Sequence, residues 1–184
     1  IYRLSLSCAN LKSRLQSNSN LWRCFDWSQF AKRLRNEHLE MLYSMTRGEC
    51  KSFILKDANG ITSSFFHKIS KGKLPVKKLE ELYVQSNSKL TGAALVSFLS
   101  QKSLINTLTK VSLISIRELD DKSVSILLTQ LENVKEWDFS NCHNLTDASI
   151  SKIQRKVTDL VLLLNNRNVV FKHRINHHKT LFIL

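Results

Sequence analysis

The sequence predicts an α/β fold: a curved solenoid of about five to six strand–helix units with an N-terminal helical segment. Two observations carry that expectation. An apolar–x–apolar triplet recurs at spacings of 23–29 residues, and each copy is trailed at fixed distance by a helix-start signature. A third observation narrows the class. Only four glycines and one proline occur in 184 residues, too few for the tight turns of an all-β sandwich or for a collagen-like or proline-rich linker. At 42% hydrophobic the chain is too apolar for disorder, and its length suits one domain or one short array.

The repeat is clearest from Leu82-Tyr83-Val84, which leads to Leu90-Thr91 and Leu95. Moving 29 residues on gives Val111-Ser112-Leu113, Leu119-Asp120 and Val124; a further 26 gives Trp137-Asp138-Phe139, Leu145-Thr146 and Ile150. Moving 29 back gives Phe53-Ile54-Leu55, Ile61-Thr62 and Phe66. A weaker copy opens at Phe25-Asp26-Trp27, and a last one at Leu160-Val161-Leu162, 23 residues after Trp137.

Each unit has a physical reading. The triplet is a short strand whose apolar residues face the core. Three residues beyond it is a place for a buried side chain that bonds the turning backbone, held by Asn87, Cys142 and Asn165. Thr62, Thr91, Asp120 and Thr146 then offer a short side-chain oxygen to the free N–H groups of a helix start. The helix carries apolar residues at i and i+4, as in Leu95/Leu99 and Val124/Leu128. One strand and one helix cannot bury their faces alone; stacked units can, with the strands lining a concave side.

The stretch Trp137-Asp-Phe-Ser-Asn-Cys-His-Asn-Leu-Thr-Asp147 resembles the cysteine-containing type of leucine-rich repeat, in which LxLxxC is followed by LTD. The resemblance covers roughly residues 25–170, a leucine-rich-repeat solenoid. Ile116, Ala58 and Phe30 depart from it at the Asn/Cys position, and the last unit is short.

Residues 1–24 precede the array. Apolar residues at Leu4, Cys8, Leu11 and Leu15 follow helical spacing, which suits an amphipathic cap on the first repeat. The segment also resembles the C-terminal part of an F-box, with its L-x-L-S-x-x-C…L…LW sequence, matched by Leu4, Ser5, Leu6, Cys8, Leu11, Leu15, Leu21 and Trp22. Leu11 stands where that family often has Trp. The family's Leu-Pro and first helix have no counterpart here, so the expectation is an N-terminally incomplete F-box. The resemblance implies a substrate receptor of an SCF cullin–RING ubiquitin ligase, in the cytoplasm or nucleus. Leu4, Leu6, Cys8, Leu11, Leu15, Leu21 and Trp22 would then bind a Skp-family adaptor, and the repeats would bind a protein substrate. A basic, apolar helix suits an acidic adaptor with a hydrophobic groove.

The net charge is +13, from 28 Lys+Arg against 15 Asp+Glu. Much of it gathers at the two ends: residues 1–25 hold four basic residues and no acid, and residues 152–184 hold seven and one acid, Asp159. The ends would attract a polyanion without choosing among nucleic acid, anionic lipid and acidic protein. No apolar run reaches the roughly 18 residues of a transmembrane segment. Cys8, Cys24, Cys50 and Cys142 form no CxxC pair, which fits a reduced intracellular protein rather than a zinc knuckle or disulfide framework.

Catalytic signatures are missing: there is no GxGxxG, GxxxxGK[ST], HExxH or GxSxG. In His173-x-x-x-His177-His178, His173 and His177 could share a face if helical but lack a third ligand, so a basic C-terminal tail or cap is expected over 171–184. A non-catalytic protein without metal or cofactor is the expectation. Binding falls to the outward strand residues: Ile54, Glu81, Tyr83, Gln85, Lys110, Ser112, Ile114, Glu136, Asp138 and Val161. Tyr83 is the natural anchor. Glu81, Glu136 and Asp138 make this strip locally acidic and would suit a basic segment of a partner. Two further classes stay open: a mitochondrial assembly protein similar to ATP synthase coupling factor B, suggested by the acid-free N-terminus, and a structural subunit of a ribonucleoprotein.

Overall fold

The computed structural model describes residues 23–74, 76–146 and 148–149, together with the backbone of three further strands, 161–164, 169–171 and 182–183. The F-box-like matches from Leu4 to Trp22, the ladder residue Asn165 and the three C-terminal histidines lie outside the described residues.

The chain forms a mixed α/β array in which one sheet is covered on one side by helices. Strand β1 (Cys24–Asp26) is followed by a 3-10 turn (Ser28–Arg33) and α1 (Asn36–Met45). Then come β2 (Ser52–Lys56), α2 (Ser63–Ser70), β3 (Glu81–Gln85), α3 (Gly92–Leu99) and α4 (Lys102–Thr107). After these follow β4 (Lys110–Ile114), α5 (Asp121–Gln130) and β5 (Glu136–Asp138). The strands lie in chain order, each parallel to the next. The register matches the repeat: Phe25 lies opposite Phe53, Phe53 opposite Leu82, Leu82 opposite Val111, and Val111 opposite Trp137.

Alternation explains the sheet's two faces. In β2 and β3 every second residue is buried, and those residues pack with the apolar stripes of the helices. The core is aromatic at its beginning. Phe25 stacks on Phe53 with centroids 5.4 Å apart, Phe53 stacks on Phe65 at 6.0 Å, and Tyr43 meets Phe53 edge-on at 5.6 Å. Farther along, Leu82, Val84, Leu95, Val111, Leu113 and Val124 take over, all at 1% exposure or less.

The helix starts are capped as expected. The Thr91 hydroxyl accepts from the Ala94 N–H at 3.2 Å, and the Asp120 carboxylate accepts from the Ser123 N–H at 2.8 Å. Thr62 and Thr146 accept from Ser64 and Ala148 in the same way. Caps also bond between units. Asn36 donates to the hydroxyls of Thr62 and Ser64, both at 2.8 Å. The Ser63 hydroxyl accepts from the Thr91 N–H at 3.0 Å, and Asp121 accepts from the Thr146 N–H at 2.8 Å.

The edge where strands begin, here called the basal edge, has its own repeat. The carbonyls of Arg23, Lys51, Glu80 and Thr109 each accept two successive N–H groups from the start of the next strand, as in Glu80 and Glu81 onto Lys51 at 2.7 and 2.9 Å. At the opposite edge Asp57, Ser86 and Ser115 follow the ends of β2, β3 and β4 with φ of 55°, 53° and 54°.

Three expectations need correction. Phe30 does not occupy a buried ladder place: it is 47% exposed in the 3-10 turn, and Ala31 is buried instead. The third unit carries two helices rather than one. The Ser100 hydroxyl bonds the Val96 carbonyl at 2.7 Å at the end of α3, Gln101 is extended, and α4 restarts to bury Leu104. In the last unit Trp137 lies opposite Leu162 of β6 (Val161–Leu164), not Leu160. That two-residue slip keeps the inward–outward alternation. Beyond the repeats, β7 (Val169–Phe171) and β8 (Phe182–Ile183) extend the sheet in antiparallel fashion, so the segment read as a basic tail or cap holds a short edge strand.

Candidate functional site

The sheet face turned away from the helices holds a groove of about 280 Å³. Strand register builds it row by row. Glu81, Lys110 and Glu136 form one row, and Ile54, Tyr83, Ser112 and Asp138 the next. Lys56, Gln85 and Ile114 form the third. Outward residues of neighbouring parallel strands stand side by side because the pairing carries no offset beyond the repeat.

Lys110 organises the groove. Its ammonium bonds the Glu136 carboxylate at 2.5 Å and sits 5.6 Å from the centre of the Tyr83 ring. The hydrogen bond to Glu136 holds the Lys110 ammonium above the usual lysine range, so it stays charged. Asp138 is shaped from below: its Oδ1 accepts from the Ser140 N–H at 2.9 Å and from the Ser140 hydroxyl at 2.6 Å. The carboxylate is thereby held in the Ser112 row.

Of the outward residues chosen from sequence, Tyr83, Gln85, Lys110, Ile114, Glu136 and Asp138 line this groove as accessible side chains. Ser112 also lines it but is only 4% exposed, because larger neighbours on both sides overhang a serine. It forms floor rather than contact surface. Lys56 was missed, although it continues the Ile54 alternation and its signal was there to read. Glu81 lies half-buried at the groove's rim.

The buried thiols are structural. Cys142 donates to the Leu113 carbonyl at 3.0 Å, and burial pushes its pKa up to about 11. Burial pushes Cys50 up to about 12. Neither is a thiolate at neutral pH. Among the described residues no cluster of three or more His, Cys, Asp or Glu could hold a metal ion, and no helix is long and apolar enough to cross a membrane.

The chain is a parallel strand–helix repeat with an open, mixed-charge groove on its sheet face. No protein-family model matches the chain, and no curated protein matches it in sequence. Among solved structures, the crystal structure of the Rad7 and Elc1 complex in yeast contains a chain with a TM-score of 0.59 and 17% identity. The match covers 72% of this chain and 33% of that one. At this identity the likeness is one of fold: a leucine-rich-repeat-like α/β arrangement.

Proposed function

We propose that this protein is a non-catalytic substrate-recognition subunit of an SCF-type cullin–RING ubiquitin ligase, built as a leucine-rich-repeat solenoid. Its sheet-face groove takes a protein substrate, and its N-terminal segment takes a Skp-family adaptor. The observation that carries the reading is the groove itself, where Tyr83, Gln85 and Asp138 stand accessible around the anchored Lys110. An aromatic with a polar tip beside fixed charges is the composition of a protein-binding hot spot. The fold likeness to a chain from a Rad7 and Elc1 complex supports the receptor assignment, as does the L-x-L-S-x-x-C…LW sequence ahead of the repeats.

The test is co-purification with a Skp-family adaptor, beside a Leu21→Ala/Trp22→Ala variant. A stoichiometric complex that the variant loses is the expected result. No complex with the wild-type chain, with any native upstream sequence restored, would overturn the adaptor assignment and leave a repeat scaffold of another assembly.

A further inference from the structure

Positive charge is densest on one edge of the array. The loops that lead into β2, β3 and β5 form the basal edge. The first holds Arg47 and Lys51 against Glu49, and the second holds Lys71, Lys73, Lys77 and Lys78 against Glu80. The third holds Lys135 against Glu132. On the opposite edge, where strands end, the loops carry Lys32, Arg33, Arg35, Lys89 and Arg117 against Asp57, Glu118 and Asp120. The basal loops are therefore net +4 and the opposite loops net +2, a difference that the linear sequence conceals.

Two of the three basal carboxylates are already engaged within the edge. Glu80 pairs with Lys51, and Glu49 pairs with Lys78 at 2.5 Å. What remains is Arg47, Lys71, Lys73, Lys77 and Lys135, all exposed. Backbone bonds fix several of them in place. The Lys77 and Lys78 N–H groups both donate to the Gly48 carbonyl at 3.2 Å, which sets Lys77 beside Arg47 across the unit boundary. Gly72, at φ 73°, closes α2 by donating to the Ile69 carbonyl at 2.8 Å, so Lys71 and Lys73 flank a fixed left-handed turn. Favourable placement at a helix C-terminus would explain Lys68 and Lys71. It also accounts for Arg47, which follows the C-cap Thr46 of α1, but not for Lys77 or Lys135.

We infer that this basal edge is a docking surface for a nucleic-acid duplex, held through its phosphates. The exposed cations of the adjacent loops before β2 and β3, with Lys135 before β5, complement a linear polyanion, which carries one charge per about 1.7 Å of duplex axis. Among the described residues the only large exposed apolar side chain is Phe30, in the 3-10 turn beyond the end of β1. The edge thus offers no wedge to enter a bilayer and no aromatic platform for unpaired bases. Lysine predominates over arginine there, as suits phosphate contact without base readout. This inference is independent of the ubiquitin-ligase reading.

The test is fluorescence anisotropy of a labelled DNA duplex of about 20 base pairs, titrated with the full chain across a salt series. The comparison is between Lys71→Ala/Lys73→Ala/Lys77→Ala and an opposite-edge control, Lys89→Ala/Arg117→Ala, with thermal melts as the folding check. The basal variant should bind about tenfold or more weakly near 0.1 M salt, and its log–log salt slope should be shallower by about 2.7, the value for three lost phosphate contacts. The control should stay within about twofold. Equal losses in both variants would reduce the effect to overall charge. Duplex binding that the basal variant keeps would move it to the chain's ends. Basal-edge-dependent binding to phosphatidylserine vesicles without duplex binding would make the partner a membrane. Each of these three outcomes overturns the proposal.

Discussion

Asn87 reaches back across one unit to the Ala58 carbonyl, its Nδ2 donating at 2.9 Å, and the same amide also serves the Ile61 carbonyl at 3.1 Å. Asn87 is 1% exposed, so water cannot replace it there. Its Oδ1 meanwhile accepts from the Lys89 N–H at 2.9 Å and closes its own turn. Asn87→Ala should leave two buried acceptors without a partner and destabilise by about 2 kcal/mol or more. Urea denaturation measures this; a loss below about 0.5 kcal/mol would mean that the turn rearranges to free those carbonyls.

Trp137 is 2% exposed and stacks on Phe139 with centroids 5.2 Å apart. Trp137→Ala should cost about 3–5 kcal/mol by opening a cavity beneath β5. Denaturant midpoints should show it, and a cost within about 1 kcal/mol would count against the inward placement of this ring.

Asp120 caps α5, and its bonds to Ser123 hold its carboxyl below the usual aspartate range. Because its folded pKa is the lower one, the stabilisation is complete above the unfolded pKa and fades as pH falls through the folded value. Asp120→Ala should therefore cost about 1 kcal/mol near neutrality. The same variant should approach wild-type stability near pH 2, and Asp120→Asn should retain most of the cap at pH 7. Denaturation curves at both pH values decide it.

Thiol labelling should separate the cysteines by burial. Cys24 is exposed, whereas Cys50 and Cys142 are buried with pKa values pushed up to about 12 and 11. Peptide mapping after brief alkylation at pH 7.5 should find Cys24 modified and the other two untouched until denaturant is added. Fast native-state modification of Cys142 would show that its bond to Leu113 opens readily.

Tyr83→Ala and Asp138→Asn test the groove. Both side chains lie on the outer sheet face, so each variant should stay within about 1 kcal/mol of wild-type stability. If the proposed receptor role holds, each should nonetheless weaken binding of a protein substrate by about tenfold or more, as expected of a central anchor. Unchanged affinity in both would place the substrate elsewhere.

The fold was legible because its inward residues repeat: the offsets from Phe25 to Phe53, Leu82, Val111 and Trp137 are the ones that pair the strands. The caps were legible for the same reason, since Thr62, Thr91 and Asp120 hold one place in each unit. Where the period failed, the reading failed. Phe30 is apolar yet exposed, because a 3-10 turn rather than a buried ladder place follows β1. The slip from Leu160 to Leu162 passed unnoticed because Leu160, Leu162 and Leu164 offer the same alternation in either register. At the groove, Ser112 lay on the right face, but its size relative to its neighbours decides exposure, and periodicity carries no information about that. The charge of the basal edge was hidden because its members come from loops up to 88 residues apart.

The bonds that tie Asn36 to Thr62, Ser63 to Thr91 and Asp121 to Thr146 link the units cap to cap. The bonded caps stand 26, 28 and 25 residues apart, so loops absorb small changes in unit length while the caps stay paired. A duplicated block of 29 residues, the spacing that relates Leu82 to Val111, would add a strand with its cap intact. Such a protein widens its sheet face only in whole strands. Its natural route to a longer binding surface is the copying of a unit, not the growth of a loop.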